Sequence, residues 1–332
     1  MDSRPYMRLP RRVLSLGAAA LACAALMTAP VQAAEKVTYL FPAPPFLPAF
    51  GPIQIAKIKG YYKDAGLDVT FQRGKGGIDV AKQVGVGNAD LGGILADGPI
   101  IVRPNGVPIK TIAVFGGKGF MQIVARADAN INGPKDLKGK SVSVMSLQDT
   151  TYYVLQGALA SAGLTKGDLT IKPAGPAGVW KLVASGDTVA CACVPDWIPP
   201  IQAAGVKVKI MPADNYFPSM AQAIGASDKI IKEKPEMVQK FVTASLRGMK
   251  DIMDDPAAAA KVFAGALPQW KGKDKYIEAV FGYYAKLVYP GQAKLGAIDA
   301  ERMKKVQDFY VKAGIARTAV PLNELYTDQF IK

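Results

Sequence analysis

One layout is written twice in this chain. "VGNADLGGILADG" (residues 86–98) runs from a glycine and a polar residue through small and apolar residues to Asp97, and "SGDTVACACVPDW" (185–197) repeats it. Gly186 to Asp196 spans the same ten positions as Gly87 to Asp97, and each copy follows an Ala-Gly-Leu, at 65–67 and at 162–164. Matched markers at near-equal spacing predict two lobes of one topology. Around them apolar strand patterns alternate with helical ones. Strands are expected at 36–41, 67–73, 89–96, 109–115, 121–127, 141–145, 169–174, 188–194 and 206–211, with helices at 51–66, 76–87, 149–162, 178–186 and 196–205. Alternation of this kind is the signature of mainly parallel sheets covered on both faces. Beyond Ala223 the pattern is almost entirely helical, with starts at Pro235, Pro256, Lys273 and Asp299, and the tail is expected to pack on the first lobe and across its connection to the second.

The first 33 residues read as an export signal rather than structure: four arginines, the apolar "VLSLGAAALACAALM", and small residues "VQA" before a cleavage point after Ala33. Arg11-Arg12 before "VLSL" leaves a twin-arginine address open as an alternative route. The expected division is therefore 1–33 signal, 34–120 first lobe, 121–215 second lobe, and 216–332 completion of the first lobe with C-terminal helices.

With 41 basic against 27 acidic residues the chain is strongly basic. Its lysines are scattered singly, without an arginine-rich run or an aromatic RNA-binding motif, so a solvated basic surface is expected and a nucleic-acid partner is not. "GKGG" at Gly74–Gly77 lacks the spacing and the Ser/Thr of a P-loop.

The chain has no histidine. That excludes Ser-His-Asp and Cys-His chemistry and leaves too few ligands for a histidine/cysteine zinc site. Cys191 and Cys193, two apart on an expected strand, point to one face and read as small buried thiols rather than a redox pair.

Ligands of open parallel sheets bind outside the carboxyl ends of the strands, where loops enter helix N-termini. The loops in question are "PAPPFLPAFG", "RGKGG", "ADGP" and "GGKGF" in the first lobe and "SLQDTTYY", "PAGPAG" and "PDW" in the second. Asp97 and Asp196 stand where helix caps belong and are read as caps, with ligand contact besides. Asp149 is read as the cap of the helix that begins at Thr150 and Thr151, whose hydroxyls and backbone donors suit a polar group. Of the aromatics Phe46, Phe50, Tyr152, Trp180, Trp197, Tyr216 and Phe217, two or three are expected to line a ligand and the rest to be core.

"IAKIKGYYKDAGLDVTF", "GVGNADLGGILADGP", "INGPKDLKGKSVSVM" and "ALASAGLTKGDLTIKP" resemble the successive landmarks of the nitrate/sulfonate/taurine class of ABC-importer solute-binding proteins, which includes binders of the thiamine pyrimidine precursor. The resemblance runs from Lys36 to Asp254. It implies an α/β, type II periplasmic-binding-protein fold, with two lobes, a two-segment hinge and a solute between them. It also implies an exported, monomeric, cofactor-free protein without catalytic activity, whose partner is a membrane permease.

Carried over by position, it places ligand contacts at Phe46 and Phe50, Asp97 and Gly98, Gly116 and Gly117, Gln148, Asp149, Thr150 and Thr151, Asp196, Trp197 and Tyr216. Two departures from the pattern stand out. Gln148-Asp149-Thr150 replaces the usual Gly-Ser/Thr-Ser/Thr, and Val194-Pro195-Asp196 replaces Trp-Glu-Pro. The resemblance implies a small polar, anionic or heteroaromatic solute, sulfonate-, nitrate- or taurine-like or pyrimidine-like. The first departure, which adds a carboxylate near the place where an anion is held, shifts weight from a simple sulfonate or nitrate toward a neutral or aromatic heterocycle. The resemblance extends to the fungal thiamine-pyrimidine synthase, an enzyme that uses an active-site histidine this chain lacks. A binding protein that reports to a membrane sensor is the third reading.

Overall fold

The described residues of the computed structural model form ten strands in two five-stranded sheets with one shared plan, and nine of the ten fall where the apolar patterns place them. The structure describes residues 1–2 and 33–332, so the expected export signal lies outside the described residues. In the first sheet β1 (Glu35–Phe41) pairs in parallel with β2 (Leu67–Arg73) and β3 (Leu91–Leu95). The order β2-β1-β3-β10-β4 is completed by β4 (Ile109–Val114) and by β10 (Gln222–Ser227), which runs antiparallel to both its neighbours.

The second sheet repeats this as β7-β6-β8-β5-β9, from β5 (Gln122–Arg126), β6 (Ser141–Val144), β7 (Thr170–Pro173), β8 (Ala190–Cys193) and β9 (Val208–Pro212). Here β6 is parallel to β7 and β8, and β5 is the antiparallel strand. Each sheet thus takes its antiparallel strand from chain that has just left the other, which makes two crossings, at 115–121 and 213–221. The duplicated markers fall on equivalent parts of the two lobes: β3 and β8 are both central strands, and Gly87 and Gly186 before them both have left-handed φ, 86° and 88°.

The strand β10 corrects the expectation of an all-helical chain past Ala223. Its sequence, "QAIGAS", has small residues and no alternation because it is buried on both faces, so no period-2 pattern marks it. The expected helix 51–66 is two helices, Gly51–Ile58 and Tyr61–Asp64, divided at Gly60, whose φ is 81°. The C-terminal helices touch both lobes. Pro235–Asp254 lies on Gly51–Ile58, and Asp274–Leu287 reaches the second lobe at Ile198–Ala203. Glu35–Lys332 forms a single compact unit, and among the described residues no helix is long and apolar enough to cross a membrane.

The small residues of β3 have a packing cause. A Cβ on Gly92 would stand 2.4 Å from Val80 Cγ1 and 2.8 Å from Val84 Cγ2, so its absence lets the helix Gly77–Gly85 lie on the sheet. On the other face a Cβ on Gly93 would stand 2.9 Å from the Tyr39 hydroxyl. Gly92→Ala is accordingly expected to lower unfolding free energy by about 1–3 kcal/mol, through overpacking, and urea denaturation with an unchanged m-value is the check.

Cys191 and Cys193 are joined in a disulfide, their Cα atoms 5.1 Å apart, where two free thiols were expected. Residues two apart on a strand project from one face, and this separation is within the range a disulfide spans. The bridge is fully buried among Val124, Val179, Val183, Ile198 and Ile201, beneath Trp180 and Trp197.

Candidate ligand-binding site

The carboxyl ends of the strands of both sheets face a shared cavity of about 450 Å³. Six of the seven loops singled out in the sequence contribute to its wall; "ADGP" does not, because β3 presents Gly93, Ile94 and Leu95 there instead. The wall is mostly apolar and rich in aromatics and proline. All three tryptophans of the chain, Trp180, Trp197 and Trp270, line it. Each is half-buried, as rings with one face against protein and the other toward a cavity must be.

The Pro-rich loop after β1 forms one side. Gln54 Nε2 donates to the Pro45 carbonyl at 2.7 Å and Trp270 Nε1 to the Phe46 carbonyl at 2.6 Å, which fixes a segment whose prolines supply no N–H donors of their own. Trp270 in turn stacks on Tyr276, ring centroids 5.4 Å apart and 10° between planes. Opposite, Asp149 caps the helix Thr150–Ser161: its Oδ1 accepts from the Thr151 N–H at 3.0 Å and from the Thr151 hydroxyl. Burial pushes its carboxyl above the ordinary range, against the pull of these two bonds.

Asp196 joins the two sides. From the turn after β8 its Oδ2 accepts the Ala49 N–H at 3.1 Å, from the start of the helical segment after β1, and its Oδ1 accepts the Tyr284 hydroxyl at 2.8 Å. Tyr276 donates to the Asp196 carbonyl at 3.1 Å. The side chain therefore does not cap its own helix but spans the cleft. Asp97, at the matching place in the other lobe, is fully buried, makes no cap bond and accepts from the Tyr310 hydroxyl, leaving Oδ1 without a partner among the described residues. Expected as caps, both aspartates are instead held by tyrosines of the C-terminal helices. Burial pushes each up to about 6, with the tyrosine bond working against it.

Of the residues singled out by position, Phe50, Asp149, Thr150, Thr151, Asp196 and Trp197 line the cavity. The others lie elsewhere. Phe46 contributes its carbonyl to Trp270, and Gly98 begins the helix Gly98–Val102 behind the wall with Asp97. Gln148 is exposed, and Tyr216 points its hydroxyl at the Asn132 carbonyl, 3.4 Å away. Gly116 and Gly117 form the first crossing, against the turn at 288–292. There a Cβ on Gly116 would stand 2.3 Å from the Val288 carbonyl oxygen, and the two glycines border a separate cavity of about 200 Å³ with Gln292 and Arg302. Among the aromatics left open, Phe50, Trp180 and Trp197 line the main cavity, whereas Tyr152 and Phe217 are buried outside it.

Sequence reasoning missed Tyr39, Gln222, Trp270 and Tyr276. Tyr39 carried a usable signal, an aromatic near the carboxyl end of the first strand. Trp270 and Tyr276 carried none, since nothing in a helical tail says which cavity it will close.

Residues 47–259 match the NMT1/THI5 like family. The chain belongs to that family. The riboflavin-binding protein RibY of Chloroflexus aurantiacus is 24% identical over 85% of this chain and 82% of its own length. The 4-amino-5-hydroxymethyl-2-methylpyrimidine phosphate synthase of Aspergillus parasiticus is 24% identical over 76% of this chain and 77% of its own. The fold is also that of the periplasmic aliphatic sulphonate binding protein SsuA of Escherichia coli, with a TM-score of 0.70 at 16% identity over 90% of this chain and 94% of that one. It is the type II periplasmic-binding-protein fold, two α/β lobes linked by two crossings.

Proposed function

We propose that this NMT1/THI5-like chain is an exported solute-binding protein that encloses a small aromatic or heteroaromatic molecule between its lobes and delivers it to an ABC permease. The observation that carries the reading is the cavity: it is built from the strand ends of both sheets, lined by all three tryptophans, and bridged by a hydrogen bond from one side to the other. Residues 34–120 with 216–332, and 121–215, are the two moving bodies of this reading. The flat heteroaromatic in the name of RibY is the kind of guest such a wall suits.

A ligand touching both lobes favours the closed form by its differential affinity, and shifting a population from mostly open to mostly closed takes about 5.5 kcal/mol. Several buried hydrogen bonds and ring stacking supply that. The synthases among the relatives raise an enzymatic reading, yet the chain has no histidine and each carboxylate of the wall is held by hydrogen bonds of its own, Asp149 from Thr151 and Asp196 from Ala49 and Tyr284, rather than pairing as acid and base. A buried disulfide suits an oxidising compartment, and a monomer in the periplasm is the state proposed.

The test pairs titration calorimetry with small-angle scattering on a panel of pyrimidines, flavins and aromatic acids. Tight binding accompanied by compaction is expected. A protein that keeps the same dimensions with every ligand would remove the closure mechanism.

A further inference from the structure

We infer that the solute is a flat aromatic cation whose charged nitrogen is received by Asp149. The inference rests on the solute-binding reading and adds the charge of the ligand to it. No lysine or arginine lines the cavity among the described residues. Lys181 and Lys273 lie over the rings of Trp180 and Trp270, 5.7 and 5.5 Å from their centroids, and neither belongs to the wall. An anion entering here gives up its water and meets no opposite charge. The helix start that would otherwise offer an anion its free N–H groups is already occupied, because the chain's own Asp149 carboxylate sits on the Thr151 N–H.

Two carboxylates face the cavity, and their oxygens are not equally engaged. Asp196 has both in use, one on Ala49 and one on Tyr284. Asp149 uses only Oδ1, on the Thr151 N–H and hydroxyl, and Oδ2 has no partner among the described residues. One acceptor of negative charge is therefore left over at the wall, in a setting where burial already makes the charge costly. The rest of the wall is mostly apolar and carries eight aromatic rings, whose faces attract a cation and stack on an aromatic ring. An amidinium, anilinium or pyridinium group carried on a ring satisfies both: N–H to Asp149 Oδ2, ring among Trp180, Trp197 and Trp270.

The experiment titrates the purified protein with benzamidinium, with its neutral counterpart benzamide, and with benzenesulfonate, following tryptophan fluorescence and scattering. Asp149→Asn keeps the shape and the capping ability of the side chain while removing the charge. Benzamidinium is expected to bind and compact the protein, and Asp149→Asn to weaken it about ten- to a hundredfold, the worth of a charge-assisted hydrogen bond, with benzamide changed little. Benzenesulfonate binding more tightly than benzamidinium overturns the inference, and so does equal benzamidinium affinity in wild type and variant. A neutral or anionic aromatic released from natively purified protein overturns the assigned charge while leaving solute binding intact. If nothing in either panel compacts the protein, the solute-binding reading falls first.

Discussion

Acidification from pH 7.5 to pH 5 is expected to raise the unfolding free energy by about 3 kcal/mol, the reverse of the usual acid response. Asp97 and Asp196 are the cause. Each is buried, and burial lifts its carboxyl to about 6 in the folded protein, whereas in the unfolded chain it titrates near the ordinary aspartate value of about 3.9. Between those two values the native state holds more protons than the unfolded state, so stability is fully present below the lower one and is lost as pH rises through the upper. Each group contributes about 1.4 kcal/mol per pH unit inside the window.

Asp149, raised for the same reason, adds in the same direction. Asp128 and Asp168 are lowered by hydrogen bonds from Arg126 and Thr165, and their opposing effect lies below the window. Because the chain has no histidine, no imidazole obscures the range. Asp97→Asn keeps an acceptor for Tyr310 and loses the titration, so it is expected to remove about half of the difference. Denaturant melts at the two pH values, wild type against variant, decide it; a flat or falling wild-type response on acidification would show that these carboxyls are not held up by burial.

Trp197→Ala is expected to weaken binding of whatever ligand closes the cleft by about a hundred- to a thousandfold, in the range of an aromatic hot spot. Trp197 follows directly on Asp196, lines the cavity and rests on the buried disulfide cluster, so one ring joins the cavity, the bridging turn and the second lobe's core. A side chain of this size buries about 150–250 Å². Trp197→Phe retains most of the ring and is expected to recover most of the affinity. Calorimetry on both variants is the measurement, and alanine binding as tightly as wild type would place the ligand away from this wall. Fluorescence gives an independent view, because the chain has no tryptophan outside the cavity to dilute the signal.

Much of the fold was legible because burial leaves a local trace. The alternation of strands and helices, the duplicated Gly-to-Asp stretch and the Ala-Gly-Leu turns each follow from constraints within about a dozen residues, and β3 and β8 occupy equivalent places for that reason. The strand β10 was illegible because a short central strand of small residues lacks the alternation that marks a half-buried one. The disulfide was half legible: spacing brought the two cysteines to one face, but bonded and free pairs share that spacing.

The site divides along the same line. Asp149, Thr150 and Thr151 could be placed from sequence, since a capping residue and the helix it starts are neighbours in the chain. Asp97 and Asp196 could be located but not interpreted. Their sequence surroundings are alike, yet one looks into the cavity and the other away from it, toward Tyr310. What decides between them is the tail, 213 residues further on from Asp97 and 88 from Asp196, whose tyrosines reach the two carboxylates.

The sequence by itself determined two similar α/β lobes, the loops at their strand ends, and a chemistry without histidine, because these depend on composition and short-range periodicity. Only the tertiary structure decided which of those loops meet, that Trp270 and Tyr276 line the cavity, and that one carboxylate oxygen there has no partner among the described residues. Pairings across hundreds of residues are set by the packing of whole elements, and no local pattern encodes them.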